Sequence, residues 1–375
     1  MTPSIRLGRL FGIEIGANWS LIFIFALYTW SLATASLPVL APGHPDAIYW
    51  LVAAAGAFLF YVSLLAHELA HALVARRSGV KVAGITLWLF GGVSRLEGEP
   101  RSARSEALIA GVGPLTSFGV AAVAAAGAIV FQGNDLFQSL MGWLAFVNVL
   151  LGVFNLVPAF PLDGGRLLSA ILWWRSGSRQ RGVHNAVRVG RVFAFLMIAA
   201  GVLELFAGQG ASGIWIAFVG WFLLSAGASE EAGSAVRTLL HSVPVSEAMS
   251  APVVTLPDWV TVETFLESVA PNHRFTTYPV HEASGKLSGM VRLGDLVRMP
   301  AAERSTTHLS DVARPIAEVP VTSPREDLSA LIQRVGGAIE QRVLVFDGGQ
   351  LVGILSPADV ARVLAARQAL GQKAS

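Results

Sequence analysis

Six apolar runs constrain this chain more than any other feature. They lie at roughly 19–40, 48–75, 106–131, 137–158, 192–208 and 212–228, and each approaches the ~20 residues that a membrane-crossing helix needs. Only 14% of residues are charged, against about 25% in a soluble globular chain, so much of the surface must face lipid. The first run lacks a small-residue cleavage site followed by polar sequence and reads as a retained span. The loops alternate in charge. Arg76, Arg77, Lys81, Arg95, Arg101 and Arg104 separate the second and third runs, and Arg166, Arg175, Arg179, Arg181, Arg188 and Arg191 separate the fourth and fifth. Loops 41–47, 132–136 and 209–211 contain no Lys or Arg. The positive-inside rule therefore predicts that both termini are cytoplasmic.

The chain contains no cysteine, which excludes disulfides and leaves His, Asp and Glu to hold any metal. Near the end of the second run stands His67-Glu68-Leu69-Ala70-His71. On a helix, residues i and i+4 share a face, so both imidazoles can reach one ion. Glu68 then lies beside that ion, placed to take a proton from water. With eight His in 375 residues, random placement produces this pattern in fewer than about one such chain in a hundred. The bland alternative is a polar helix end reaching the interface.

A catalytic zinc takes three protein ligands and keeps one position open. Among the acidic residues between 72 and 190, only Asp163 falls in membrane-level sequence; Glu97, Glu99 and Glu106 flank a predicted hairpin and Asp135 sits in a loop. Asp163 belongs to Asn155-Leu156-Val157-Pro158-Ala159-Phe160-Pro161-Leu162-Asp163-Gly164-Gly165-Arg166. Pro158 and Pro161 must break the fourth run. Gly164-Gly165 allows a further turn, with a new helix predicted near Leu167. Asp163 can thus be a third ligand projecting from the break, or a helix N-cap.

Residues 82–98 read as a β-hairpin about Gly91-Gly92, apolar enough to enter the bilayer if protein or a wet cavity covers its backbone; an interfacial loop is the alternative. Glu204 reads as interfacial. The remaining histidines, His44, His184, His241, His273, His281 and His308, lack ligand spacing and read as loop or surface residues.

These motifs resemble the site-2 proteases, intramembrane zinc metalloproteases. The likeness rests on His67 to His71, on Asn155 to Arg166, on Gly113-Pro114 between them and on the six-span plan, and covers about residues 1–228. It implies that His67, His71 and Asp163 bind Zn2+, that Glu68 is the general base, and that Asn155 steadies the oxyanion or the substrate strand. It also implies single-span membrane substrates, anti-sigma factors among them, in a bacterial or archaeal cell membrane. Some members carry a His near the start of the first span, where this chain has Asn18-Trp19. A substrate must leave its helix before cleavage, and an extended segment could add to the hairpin edge.

After a predicted linker at 229–242 the composition becomes ordinary. Ser246 and Ser310, Gly289 and Gly353, and Asp295 and Asp359 each lie 64 residues apart, an internal repeat. Each unit reads strand–helix–strand–strand–helix, the first beginning at Val253-Val254-Thr255. The repeat resembles a tandem pair of cystathionine-β-synthase (CBS) domains, at 243–300 and 301–368 with a tail at 369–375. That likeness implies an adenine nucleotide site at Ser356 and Asp359, where the family's hydroxyl–Asp pattern is kept; Arg292 replaces the hydroxyl before Asp295. A pair serving only as a homodimer contact is the alternative, and Asp359 also suits a helix N-terminus. No nucleic-acid partner is expected.

The expected fold class is a polytopic α-helical membrane protein of six transmembrane helices with a membrane-associated β-hairpin, followed by an α/β tandem CBS pair. The rival function is a CBS-regulated ion transporter, which would need ionisable residues spread along a midplane path.

Overall fold

A computed structural model describes residues 5–88, 91–208, 210–273, 275–335 and 342–372. The chain divides into two compact units between Ala235 and Val236.

The first unit opens with strands β1 (Ile5–Leu10) and β2 (Ile13–Ala17), followed by helices α1 (Ser20–Leu40) and α2 (Asp46–Arg77). Strands β3 (Lys81–Trp88) and β4 (Gly91–Glu97) follow. Helices α3 (Ala103–Val130), α4 (Asp135–Asn155), α5 (Asp163–Ser176), α6 (Arg179–Phe206) and α7 (Gly210–Leu240) come next, the boundary between the units falling within α7. Among the described residues, six of these helices, all but α5, are long and apolar enough to cross a membrane. Large apolar side chains such as Phe23, Leu51, Leu115, Val123 and Phe206 point outward on them, as lipid-facing surfaces require. The protein is an integral membrane protein.

Two expectations about these helices change. The fifth begins at Arg179 rather than near 192, because Val183, Ala186, Val187 and Gly190 bury one face among the arginines; three- and four-residue spacing carries a helix through charged sequence. Residues 229–240, read as linker, continue α7 as helix.

The hairpin also differs from its prediction. Trp88 pairs with Gly91, so Leu89 and Phe90 stand between the strands, outside the described residues, and Gly91-Gly92 begin β4 rather than forming the turn. The hairpin is half of a four-stranded sheet of order β1-β2-β3-β4, with β2 and β3 parallel. Ile13, Ile15, Ile85 and Leu87 pack on Tyr61, Leu64 and Ala72 of α2, forming one apolar core.

The break after α4 is as expected, but α5 starts at Asp163 rather than near Leu167. Gly164 and Gly165 are therefore helical, and their need is clearance: a Cβ on Gly164 would stand 2.3 Å from the Leu156 carbonyl oxygen. With Ala159 and Phe160 buried, the broken segment folds tightly against the first turn of α5.

The second unit holds two α/β halves in tandem, each with its own sheet. The first half has β5 (Leu256–Pro257), a helical segment over 262–269, β6 (Thr277–His281), β7 (Leu287–Arg292), α8 (Leu293–Val297) and β8 (Arg314–Pro315). Its first strand lies just beyond the predicted Val253–Thr255. The second half has β9 (Val321–Thr322), α9 (Leu328–Arg334), β10 (Val343–Asp347), β11 (Gln350–Leu355) and α10 (Pro357–Gln372). Val262, Phe265, Tyr278 and Val280 centre the first core, and Leu328, Leu331, Val343 and Val345 the second.

Candidate metal centre in the membrane helices

Three donor atoms converge where α2 meets α5. His67 Nε2 and His71 Nε2 stand 3.1 Å apart, and Asp163 Oδ2 lies 3.3 Å from the first and 3.1 Å from the second. Ligands about 2.0 Å from a tetrahedral ion are separated by about 3.3 Å, so these spacings suit zinc. Both imidazoles are almost fully buried. Asp163 sits just after the N-cap, Leu162, so the first turn of α5 aims the carboxylate while its dipole favours negative charge.

Helix α3 builds the back of the site. His71 Nδ1 lies 2.6 Å from the Ile109 carbonyl oxygen and His67 Nδ1 lies 2.9 Å from Ser117 Oγ. A carbonyl only accepts, so His71 carries its proton on Nδ1 and, when neutral, turns the Nε2 lone pair toward the centre. Such outer partners orient metal-binding imidazoles. Between them, a Cβ on Gly113 would stand 2.1 Å from His71 Nε2 and 2.7 Å from His67 Nε2. The glycine keeps open the space into which the donors point. Converging lone pairs and a carboxylate, with room between them, fit a divalent cation.

Glu68 leaves α2 toward the sheet, and its Oε2 accepts a 3.0 Å hydrogen bond from Ser94 Oγ on β4. Asn155 ends α4 with its amide donating to the Leu151 carbonyl at 3.0 Å; it is not one of the three converging residues. Glu106, read from sequence as flanking the hairpin, is buried and paired with Arg179. Ile109, Ser117, Ser94 and Arg179 had no local signal in the sequence. Of the other histidines, His44 pairs with Asp135, His184 with Glu231, His241 with Asp327 and His308 with Asp311.

In the second unit, the Asp359 carboxylate accepts from Ser356 Oγ at 2.6 Å and from Ser250 Oγ at 2.9 Å. Burial pushes this carboxyl up, but the hydrogen bonds from Ser356 and Ser250 together hold it below the usual aspartate value. Both serines and Asp359 line a cavity of about 420 Å³ with Phe275, Thr276 and Arg342. In the first half, Arg292 and Asp295 line a separate cavity of about 350 Å³.

A His-Glu-x-x-His motif on a membrane-spanning helix, facing a distant aspartate at the start of the short helix α5, has the ligand set of a zinc metallopeptidase set in the membrane. The model of Peptidase family M50 matches residues 55–142 and 133–197. Rip3 of Mycobacterium tuberculosis is 44% identical over 97% of this chain and 93% of its own length. Zinc metalloprotease MJ0392 of Methanocaldococcus jannaschii is 30% identical over 97% of each. Among solved structures, the site-2 protease from Methanocaldococcus jannaschii is 29% identical, covering 60% of this chain and 94% of that one with a TM-score of 0.40. The chain belongs to peptidase family M50, the site-2 type of zinc metalloprotease.

Proposed function

We propose that the protein cleaves transmembrane segments of single-span membrane proteins near the cytoplasmic face, with His67, His71 and Asp163 holding zinc and Glu68 as general base. The single observation that carries this reading is the convergence of two Nε2 atoms and one carboxylate oxygen within 3.3 Å of one another. His67, His71 and Asp163 would hold the zinc, which when bound would supply Lewis acidity toward a carbonyl and lower the pKa of water to about 7. Glu68 takes the proton from the attacking water and later delivers it to the leaving nitrogen. Asn155, at the end of α4, steadies the oxyanion or the substrate strand.

The substrate must present an extended backbone. In the order β1-β2-β3-β4 the second edge of β3 is taken by β2, which leaves β4 as the hairpin's open edge. A strand added there satisfies its own N–H and C=O groups in apolar surroundings. Because β4 touches Glu68, a segment on that edge lies beside the base. The basic loops support cytoplasmic termini, and substrates of the anti-sigma-factor kind, in a bacterial or archaeal cell membrane, follow from the family resemblance.

Glu68→Gln should retain stoichiometric zinc and stabilise the protein's substrates in the membrane, read by quantitative membrane proteomics. Normal turnover of every membrane protein would remove the reading. A CBS-regulated transporter would be little changed by that variant.

For the second unit we propose an adenine nucleotide site at Ser356 and Asp359 that regulates the protease. The carboxylate faces a cavity of about 420 Å³, and Arg342 there supplies a cation suited to phosphate. Calorimetric titration of the whole protein with AMP and ATP should show binding that Asp359→Asn weakens. Flat titrations, with a dimeric mass, would favour a pair that only joins two copies.

A further inference from the structure

Side chains alternate along a strand, so Gly92 and Ser94 face the same side of β4. Both meet Glu68. Ser94 Oγ donates to Glu68 Oε2 at 3.0 Å. A Cβ on Gly92 would stand 2.1 Å from Glu68 Cγ and 2.6 Å from its Cδ. Glutamate has three rotatable side-chain bonds, and its own helix leaves several rotamers open. Here β4 selects among them: the missing Cβ gives the side chain its path, and the hydroxyl fixes one carboxylate oxygen.

We propose that Ser94 is a positioning residue for the general base, with Gly92 as its clearance, so that the strand offered to substrate also aims Glu68. The inference rests on the reading of Glu68 as base. It adds a coupling between two tasks that the motif alone leaves separate. A substrate segment paired along the outer edge of β4 orders the backbone that carries Ser94. Seating the substrate and fixing the carboxylate are then done by the same few residues.

The test uses the whole protein in detergent with fluorescein-labelled casein as an unfolded substrate, and measures kcat, KM and bound zinc. Ser94→Ala should lower kcat roughly ten- to a hundredfold, the loss of one hydrogen bond to a charged group, with KM and zinc content unchanged. Ser94→Thr, which keeps the hydroxyl and suits a strand, should restore most of it. Gly92→Ala should displace Glu68 and lower kcat with zinc retained. A merely structural serine would change zinc content or thermal stability instead. The proposal is overturned if Ser94→Ala keeps kcat within about twofold, or if Ser94→Thr is as slow as Ser94→Ala. Glu68→Gln is run in parallel. If it stays active, the base assignment fails and this inference with it; if it is inactive while Ser94→Ala is normal, only the role of Ser94 fails.

Discussion

Glu106 and Arg179 join the first turn of α3 to the first turn of α6 through a 3.3 Å ion pair, and Glu99 meets the same guanidinium at 2.8 Å. Glu106 lies on the buried stripe of α3 that continues through Ile109, Gly113 and Ser117. The pair therefore anchors the N-terminal end of the helix that backs the candidate metal centre.

Removing one partner of a buried pair leaves an uncompensated charge. Arg179→Ala should destabilise the protein by about 3 kcal/mol, near the lower end expected for such breaks, because the arginine retains some exposure. Thermal unfolding in detergent checks this, and an unshifted midpoint would count against the anchoring role.

Gly113→Ala should abolish metal binding while the spans still form. The added methyl would occupy space 2.1 Å from His71 Nε2, yet it raises helix propensity. Elemental analysis should find substoichiometric zinc alongside an unchanged helical circular dichroism spectrum.

Ser117→Ala should act more gently. His67 keeps its place in the helix but loses the 2.9 Å partner of Nδ1. Metal affinity should fall about ten- to a hundredfold, as for other outer partners of ligating histidines. Competition with a chelator of known affinity measures it.

Proline placed along β4 should impair cleavage with zinc content normal, because it removes an edge donor. Unimpaired cleavage would argue that substrate pairs elsewhere.

Asp359 makes a pH-dependent contribution to the second unit. Its folded pKa is lowered by Ser356 and Ser250 despite burial. The stabilisation is therefore complete above the unfolded value of about 3.9 and is lost as pH falls through the lower folded value. Asp359→Asn should flatten the acid limb of stability below about pH 4, leaving the part due to Glu326 and Asp327, which are also lowered. An acid limb identical to that of the parent would show that Asp359 contributes nothing.

The sequence by itself determined what short-range chemistry controls. Six apolar runs are a property of composition, and the sharing of a face by His67 and His71 follows from helical periodicity alone. Asp163 was reachable as a candidate because two prolines had to break the helix before it. Tertiary structure decided the rest. Ser94 meets Glu68 from 26 positions away, Ser117 meets His67 from 50, and Arg179 meets Glu106 from 73. The glycines at 92 and 113 look like any others until another helix or strand presses against them. A hydroxyl or a missing Cβ has no periodicity of its own, so its role exists only once packing has chosen its neighbour.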